Sequence, residues 1–154
     1  MNILTRQSLV FLFALTGCAG ISDQDRLDVR EAAFREFLPR LQENALVFIA
    51  FDHHDSLRWD APPAGFIERL SGLNDRLTLR SVADMEMEHL FPKDRSTGQG
   101  GSLCSVGIVS TKGSDVTISV ACTSGPLAGV GYRALMKKQK GQWVMIKKLS
   151  GWVS

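Results

Sequence analysis

The last third of the chain constrains the fold most, because it contains four extended segments separated by short turns that contain glycine. The segments cover residues 102–111, 115–123, 130–138 and 142–153. The turns between them are Lys112-Gly113-Ser114, the stretch Ser124-Gly125-Pro126 with Gly129, and Lys140-Gly141. Turns as short as these connect neighbouring antiparallel strands. The pattern therefore predicts a four-stranded antiparallel meander.

The first hairpin of this meander has a readable register. Centring its turn on Gly113 pairs Cys104 with Cys122, Val106 with Val120, Ile108 with Ile118 and Ser110 with Val116. Because side chains alternate between the two faces of a strand, this register collects the apolar residues on one face. The other face then carries Ser105, Gly107, Thr111, Thr117, Ser119 and Thr123. A slip by one residue would scatter both sets, so the register is well specified.

The same register predicts a disulfide between Cys104 and Cys122. Directly opposed residues of antiparallel strands have Cα atoms about 4.5 to 5.5 Å apart, which lies within the range that a disulfide spans. Two buried free thiols are the alternative. A metal site on this cysteine pair is not favoured, because no histidines accompany the pair at a suitable spacing.

The first half of the chain predicts helices around one buried strand. Ser22 followed by Asp23 and Asp25 is typical of a helix start, and apolar residues then recur every three or four positions as far as Leu41. Pro39 is expected to kink or restart this helix. The predicted elements that follow are a buried strand over 45–51, a short helix from Pro62-Pro63 to Gly72, an extended piece over 77–82 and a loop over 93–102.

This order of elements resembles the nuclear transport factor two-like fold within the cystatin-like architecture. The resemblance is carried by the layout, by Gly131-Tyr132, by Lys140-Gly141-Gln142-Trp143-Val144 and by Gly151-Trp152. It implies an α+β fold in which an N-terminal helix and a short second helix pack on a curved antiparallel sheet. Such folds serve both enzymes and inert binding modules, so the fold alone does not choose a function.

The N-terminus has the pattern of a secretion signal. Residues 9–15 are uniformly apolar, follow a polar opening with one cation, and are too few to cross a membrane as a helix. Leu15-Thr16-Gly17-Cys18 resembles the lipobox of bacterial lipoproteins. The resemblance implies cleavage after Gly17 and lipidation of Cys18 through its sulfur, with further acylation of the new N-terminus. Ordinary cleavage near Gly20, which would discard Cys18, is the alternative.

This reading divides the chain into a signal peptide (1–17), a lipidated start with a short tether (18–22) and one α+β domain (23–154). Ala19 stands where Gram-negative lipoproteins retained in the inner membrane carry aspartate. The resemblance therefore implies an outer-membrane anchor facing the periplasm. An oxidising compartment also suits a disulfide between the two remaining cysteines. The formal net charge of +2 argues against nucleic acid as a partner, since binders of the phosphate backbone carry a marked basic excess.

The densest cluster of potential ligand residues is Asp52-His53-His54-Asp55, directly after the buried strand. Adjacent histidines on extended backbone point to opposite faces, so this spacing does not aim both at one metal ion. A solvated loop is the simpler interpretation. Glu86, Glu88 and His89 are candidates for more distant ligands, but Met85 and Met87 alternate with the acids as in an amphipathic element. No metal and no cofactor is predicted.

Two further groups of side chains offer binding surfaces. The lysines of the final hairpin form a basic patch for an anionic partner or, more simply, protect a sheet edge from aggregation. They are Lys137, Lys138, Lys140, Lys147 and Lys148. Trp59, Trp143 and Trp152 are candidates to line a ligand pocket on a concave sheet, or to pack in its core.

Together these observations predict a lipid-anchored cell-envelope module without catalytic activity, which binds an envelope protein or a small ligand through its sheet face. The alternative is a small envelope enzyme or metal-binding protein that uses Asp52, His53, His54, Asp55 and His89. A purely structural accessory subunit is a third possibility. The chain has no Gly-x-Ser-x-Gly elbow and no phosphate-binding glycine motif to favour the enzyme.

Overall fold

The computed structural model describes residues 20–41, 45–53 and 58–154 as a mixed α+β structure. The predicted α+β class is thus confirmed. The helices are α1 (Asp23–Phe37) and α2 (Phe66–Leu70). The strands are β1 (Ala45–Asp52), β2 (Trp59–Asp60), β3 (Leu77–Ser81), β4 (Met85–Glu88), β5 (Phe91–Asp94), β6 (Ser102–Lys112), β7 (Asp115–Gly125), β8 (Ala128–Gln139) and β9 (Gln142–Val153). The lipobox residues with Cys18, and His54 and Asp55 of the histidine cluster, lie outside the described residues.

One large sheet has the strand order β2-β1-β6-β7-β8-β9, and β3 also pairs with β1. Strands β6 to β9 form the predicted antiparallel meander. The sheet is not antiparallel throughout, because β1 runs parallel to both β3 and β6. Parallel neighbours need long connections, and here α2 and the β4–β5 hairpin lie in the chain between β1 and β6.

Helix α1 begins where its local sequence predicts, but it ends four residues before Leu41, where the predicted pattern ends. The Ser22 hydroxyl accepts a hydrogen bond from the main-chain N–H of Asp25 at 3.1 Å, which satisfies one of the free donors at the helix start. The helix ends at Phe37, and Pro39 lies in the 3₁₀ turn that follows (Leu38–Arg40). Val29, Ala33, Phe34 and Phe37 are buried against the sheet.

The register of the β6–β7 hairpin agrees with the predicted one from Cys104 to Ile108. Beyond Ile108 the prediction is wrong: Ser110 pairs with Thr117 rather than with Val116. A β-bulge at Val109 inserts one extra residue into β6 and shifts every later pair. Val116 nevertheless stays fully buried.

The pairing of Cys104 with Cys122 brings the two cysteines into a disulfide, with an S–S distance of 2.03 Å. Both residues are buried in the core between the sheet and α1. The disulfide therefore ties two neighbouring central strands together on the face that carries the helices.

Strands β4 and β5 form a small separate hairpin that the sequence did not predict as such. The predicted loop over 93–102 is wrong at its start, because β5 continues to Asp94.

The Asp94 carboxylate is buried and accepts hydrogen bonds from the Ser96 hydroxyl (2.6 Å) and from the main-chain N–H groups of Ser96 and Thr97 (2.9 Å each). These hydrogen bonds lower the pKa of Asp94 to about 2. Arg80 also forms an ion pair with Asp94, at 3.2 Å. The charged carboxylate therefore fixes the turn that follows β5.

The two faces of the large sheet have different coverings. One face packs against α1 and α2 and contains the main apolar core. The opposite face, which we call the open face, is partly covered by the β4–β5 hairpin. There Met85 packs with Leu46, Phe48, Ala50 and Leu103 in a second, smaller core. Burial on both faces explains why β1 is apolar almost throughout, as the sequence predicted.

No helix within residues 20–41, 45–53 and 58–154 is long and apolar enough to cross a membrane.

Candidate functional site

The open face carries two rows of side chains that run across β1, β6, β7, β8 and β9. Each row follows from the strand pairing, since paired residues lie side by side on the same face. The first row is Asp52, Gly107, Ser119, Arg133 and Ser150. The second row is Ala50, Ser105, Ala121, Gly131 and Trp152. Most residues of both rows are small, so the rows form a floor from which three larger side chains rise, those of Asp52, Arg133 and Trp152.

A groove of about 510 Å³ lies above this floor. We call it the open-face groove. It is lined by Asp52, Ser119, Val120, Ala121, Tyr132, Arg133, Ser150, Gly151 and Trp152. Its volume falls in the range of small-molecule sites, which combine apolar surface with a few placed polar groups.

The floor of the groove is closely packed around Gly107. A Cβ atom at this position would lie 2.9 Å from the Ser119 Oγ and 3.1 Å from the main-chain oxygen of Asp52. Contacts this short would force a neighbour to move, so glycine is what allows Ser119 and Asp52 to approach the same point of β6. Gly107 on the predicted polar face of this hairpin therefore allows close packing between β1, β6 and β7.

Ser119 provides an unpaired polar group at this point. Its Oγ is fully buried and has no hydrogen-bond partner among the described residues. Almost every buried polar atom in a folded protein has a partner, and an unpaired hydroxyl costs free energy. Ser119 as a whole is only half-buried, so a rotation of its side chain toward the groove would let a ligand pair with the hydroxyl and remove that cost.

Trp152 provides the aromatic surface of the groove. A Cβ atom at Gly131 would lie only 2.6 to 2.7 Å from three neighbouring indole ring atoms, Nε1, Cε2 and Cζ2. The ring face therefore lies against the backbone of Gly131, where any other residue would displace it. Trp152 is 51% exposed, so its indole offers surface to a flat group.

Arg133 provides a cation on the same floor. It pairs with Ser119 on one side and with Ser150 on the other, and its side chain is exposed. Within the described residues it forms no ion pair, although neighbouring lysines of β8 do. Tyr132, the residue before Arg133, points to the core, and burial raises the pKa of its hydroxyl to about 12. Tyr132 is therefore not an acid–base group near neutral pH.

The other two tryptophans do not line the groove. Trp143 is buried against α1 and its Nε1–H donates a hydrogen bond to the Asp25 carboxylate at 3.2 Å. Trp59 pairs with Asp52 and so lies on the open face at the far end of the first row. Of the three tryptophans that the sequence singled out, only Trp152 faces the groove.

Two of the five lysines of the predicted basic patch form ion pairs within the described residues. Lys138 forms an ion pair with Asp25 at 2.7 Å, and Lys137 forms one with Asp115 at 3.2 Å. Lys148 lies 4.4 Å from the centre of the Tyr132 ring, as in a cation–π contact. Lys140 lies in the β8–β9 turn. Lys138 thus connects the meander to α1, and Lys137 and Lys148 make contacts within the meander.

The structure describes Asp52 and His53 of the predicted histidine cluster. The His53 ring contacts the Asp60 carboxylate across the β1–β2 hairpin, and Arg58 binds the same carboxylate at 3.2 Å. The hydrogen bond from His53 is the main reason that the pKa of Asp60 is lowered. His54 and Asp55 lie outside the described residues, so their part of this cluster remains a prediction.

The more distant candidate ligands lie on the small hairpin. Glu86 and Glu88 are exposed on β4, Glu88 pairs with Lys93, and His89 lies in the turn with a positive φ of 51°. Within the part of the chain that the structure describes, histidine, cysteine and acidic side chains form no group of three able to hold a metal ion.

Comparison with known proteins finds no match to this chain among protein-family models, curated proteins or solved structures. Function must therefore be inferred from the open-face groove itself. Sequence reasoning had identified Trp152 and the small polar residues of β6 and β7, but not Arg133. Extending the pairing from β7 to β8 would have placed Arg133 beside Ser119. The pairing of Gly131 with Trp152 depends on two register shifts between β8 and β9, which the sequence pattern did not predict.

Proposed function

We propose that this protein is a lipid-anchored binding module of the bacterial cell envelope that holds its ligand in the open-face groove. The observation that carries the proposal is the buried hydroxyl of Ser119, which has no hydrogen-bond partner among the described residues and lies at the floor of a groove of about 510 Å³. Beside it lie the guanidinium of Arg133, which forms no ion pair with a described residue, and the exposed indole of Trp152. These are the hydrogen-bonding, charged and stacking groups of a small-ligand site, held on a rigid sheet.

The anchoring part of the proposal rests on the residues of the lipobox, Leu15 to Cys18. The disulfide supports an extracytoplasmic location, because structural disulfides persist in oxidising compartments. In this account the lipid on Cys18 holds the module at the membrane, and the open-face groove faces the periplasm.

The groove has the character of a binding site rather than of a catalytic site. Ser119 has no hydrogen-bond partner in the described residues, and an activated serine nucleophile needs an adjacent base. A small envelope enzyme remains the second candidate because His53 and Asp60 form a close pair, and a carboxylate commonly orients a histidine that acts as a base.

For the fold, we propose a relationship to the nuclear transport factor two-like or cystatin-like layout. It is supported by the N-terminal helix packed across a meander of four long strands. The parallel pairing of β1 with β3 and β6 is the feature that a solved relative would need to share.

Complementation of a deletion strain tests the binding function against the enzyme. We expect Trp152→Ala to lose complementation, because removal of a central aromatic contact typically weakens binding by about tenfold or more. Ser119→Ala should also reduce complementation while leaving the fold intact, since it removes a hydroxyl that has no partner among the described residues. Replacement of His53, His54 and His89 by glutamine should leave complementation unchanged.

Leu127→Ala is the matched control for this experiment. Leu127 is 85% exposed in the β7–β8 turn, outside the groove. Envelope levels of each variant should be compared by immunoblot. Full complementation by Trp152→Ala at normal protein level, together with loss of function in the histidine variant, would favour the enzyme and refute the binding proposal.

A further inference from the structure

Arg133 stands out on the open face as a cation without a counter-ion in the described residues. We infer that the open-face groove selects an anionic ligand, a carboxylate or phosphate group carried on a flat ring. Arg133 would bind the anionic group and Trp152 would stack on the ring. This inference rests on the proposed function, because it assigns a ligand chemistry to the same groove.

The environment of Arg133 suits an oxyanion. Its guanidinium carries five N–H donors in a planar fork, a geometry that matches a carboxylate or a phosphate. Ser119 and Ser150 flank Arg133 in the first row and add two hydroxyl groups that are able to donate hydrogen bonds. The Ser119 hydroxyl has no hydrogen-bond partner among the described residues, and it donates to the ligand once its side chain rotates toward the groove.

The position of Trp152 fixes where a ring would lie. Ser150 pairs with Arg133, and Trp152 is two residues further along β9 on the same face. Two residues of extended strand cover about 7 Å. An anionic group on Arg133 and a ring on the Trp152 indole are therefore within the reach of one small molecule.

Asp52 defines the direction of binding. It lies at the β1 end of the first row, and β6 and β7 separate β1 from β8. At a strand spacing of about 4.8 Å, the Asp52 backbone lies about 14 Å from that of Arg133. A negatively charged group is attracted by Arg133, so it should bind at the β8 end of the groove, away from Asp52.

Chemical-shift mapping with three related probes tests this inference. The probes are benzoate, phenyl phosphate and the neutral benzamide, added to the ¹⁵N-labelled mature lipoprotein in detergent micelles. We expect benzoate or phenyl phosphate to shift the Trp152 indole N–H and the Arg133 Nε–H resonances, and to bind about tenfold more tightly than benzamide. The tighter of the two anions would identify the anionic group.

Variants at Arg133 test whether its guanidinium causes the preference for the charged probes. Arg133→Gln should abolish the preference for the charged probes, and Arg133→Lys should keep part of it. Lys112→Gln, at the exposed β6–β7 turn, is the matched control and should leave the preference unchanged.

Two results would overturn the inference. If benzamide binds as tightly as the anions, the ligand is not selected by charge. If Arg133→Gln keeps the preference, the selection by charge does not come from Arg133. In either case the groove still binds rings and the proposed function stands. If no probe shifts a groove resonance, the predicted ligand chemistry is wrong, and the complementation experiment decides the proposed function independently.

Discussion

Replacing Cys104 and Cys122 together by alanine is expected to lower the free energy of unfolding by about 2 to 5 kcal/mol, the usual range for small secreted domains. The two cysteines are 18 residues apart in the chain. In the chain-entropy model, a cross-link over a loop of this length stabilises the folded state by about 3 kcal/mol. Because both side chains are buried, the alanines also remove packing contacts from the core. Denaturant unfolding of the wild type and the double variant measures the difference.

The reduced wild-type protein is the matched control, because it lacks the bond but keeps both sulfur atoms in the core. We expect its stability to lie between those of the oxidised wild type and the alanine variant. Circular dichroism should show that all three share one fold. Two alkylatable thiols per chain in protein isolated from the envelope and denatured without reductant would contradict the disulfide.

Cys18→Ser is expected to abolish lipidation completely, because serine lacks the sulfur through which the lipid is attached. The variant should accumulate either as the uncleaved precursor or in the wrong fraction. Intact-mass analysis distinguishes the wild type, which should begin at Cys18 and carry the mass of its acyl chains, from the variant. Fractionation should place the wild type in the outer membrane.

Thr16→Ser is a suitable control for this experiment, since it changes the lipobox by one small residue and leaves Cys18 in place. We expect normal processing of this variant. A wild-type mature protein that begins after Cys18 and carries no acyl mass would show that the lipobox interpretation is wrong. Recovery in inner-membrane vesicles would contradict only the expected outer-membrane location.

The sequence predicted the parts of the fold that depend on local patterns. The alternation of apolar and polar residues determined the meander and the pairing of Cys104 with Cys122. It missed the bulge at Val109, because the residues beyond it, Ser110 and Thr111, are both polar and fit either register. The hairpin of β4 and β5 was missed because its turn consists of His89 and Leu90, which adopt positive φ angles of 51° and 70° and are not typical turn residues.

The site was harder to predict from the sequence, because it forms only when five strands lie side by side. Trp152 was identified as a pocket candidate from its residue type. Arg133 was not, since an arginine in a strand is ordinarily a solvated side chain. Its neighbours Ser119 and Ser150 lie 14 and 17 positions away in the chain, and pairing within the sheet brings them together. Contacts between distant segments likewise determine that β3 and β6 pair in parallel with β1, so this pairing was not predicted.

Oxidative footprinting of Trp152 in intact envelopes tests the central claim that the open-face groove is occupied by a ligand. Trp152 is 51% exposed and Trp59 is 38% exposed in the protein alone, so both should react with hydroxyl radicals after purification. In intact envelopes we predict that the oxidation of Trp152 falls several-fold while that of Trp59 is unchanged. Equal oxidation of Trp152 in envelopes and in the purified protein would contradict the account.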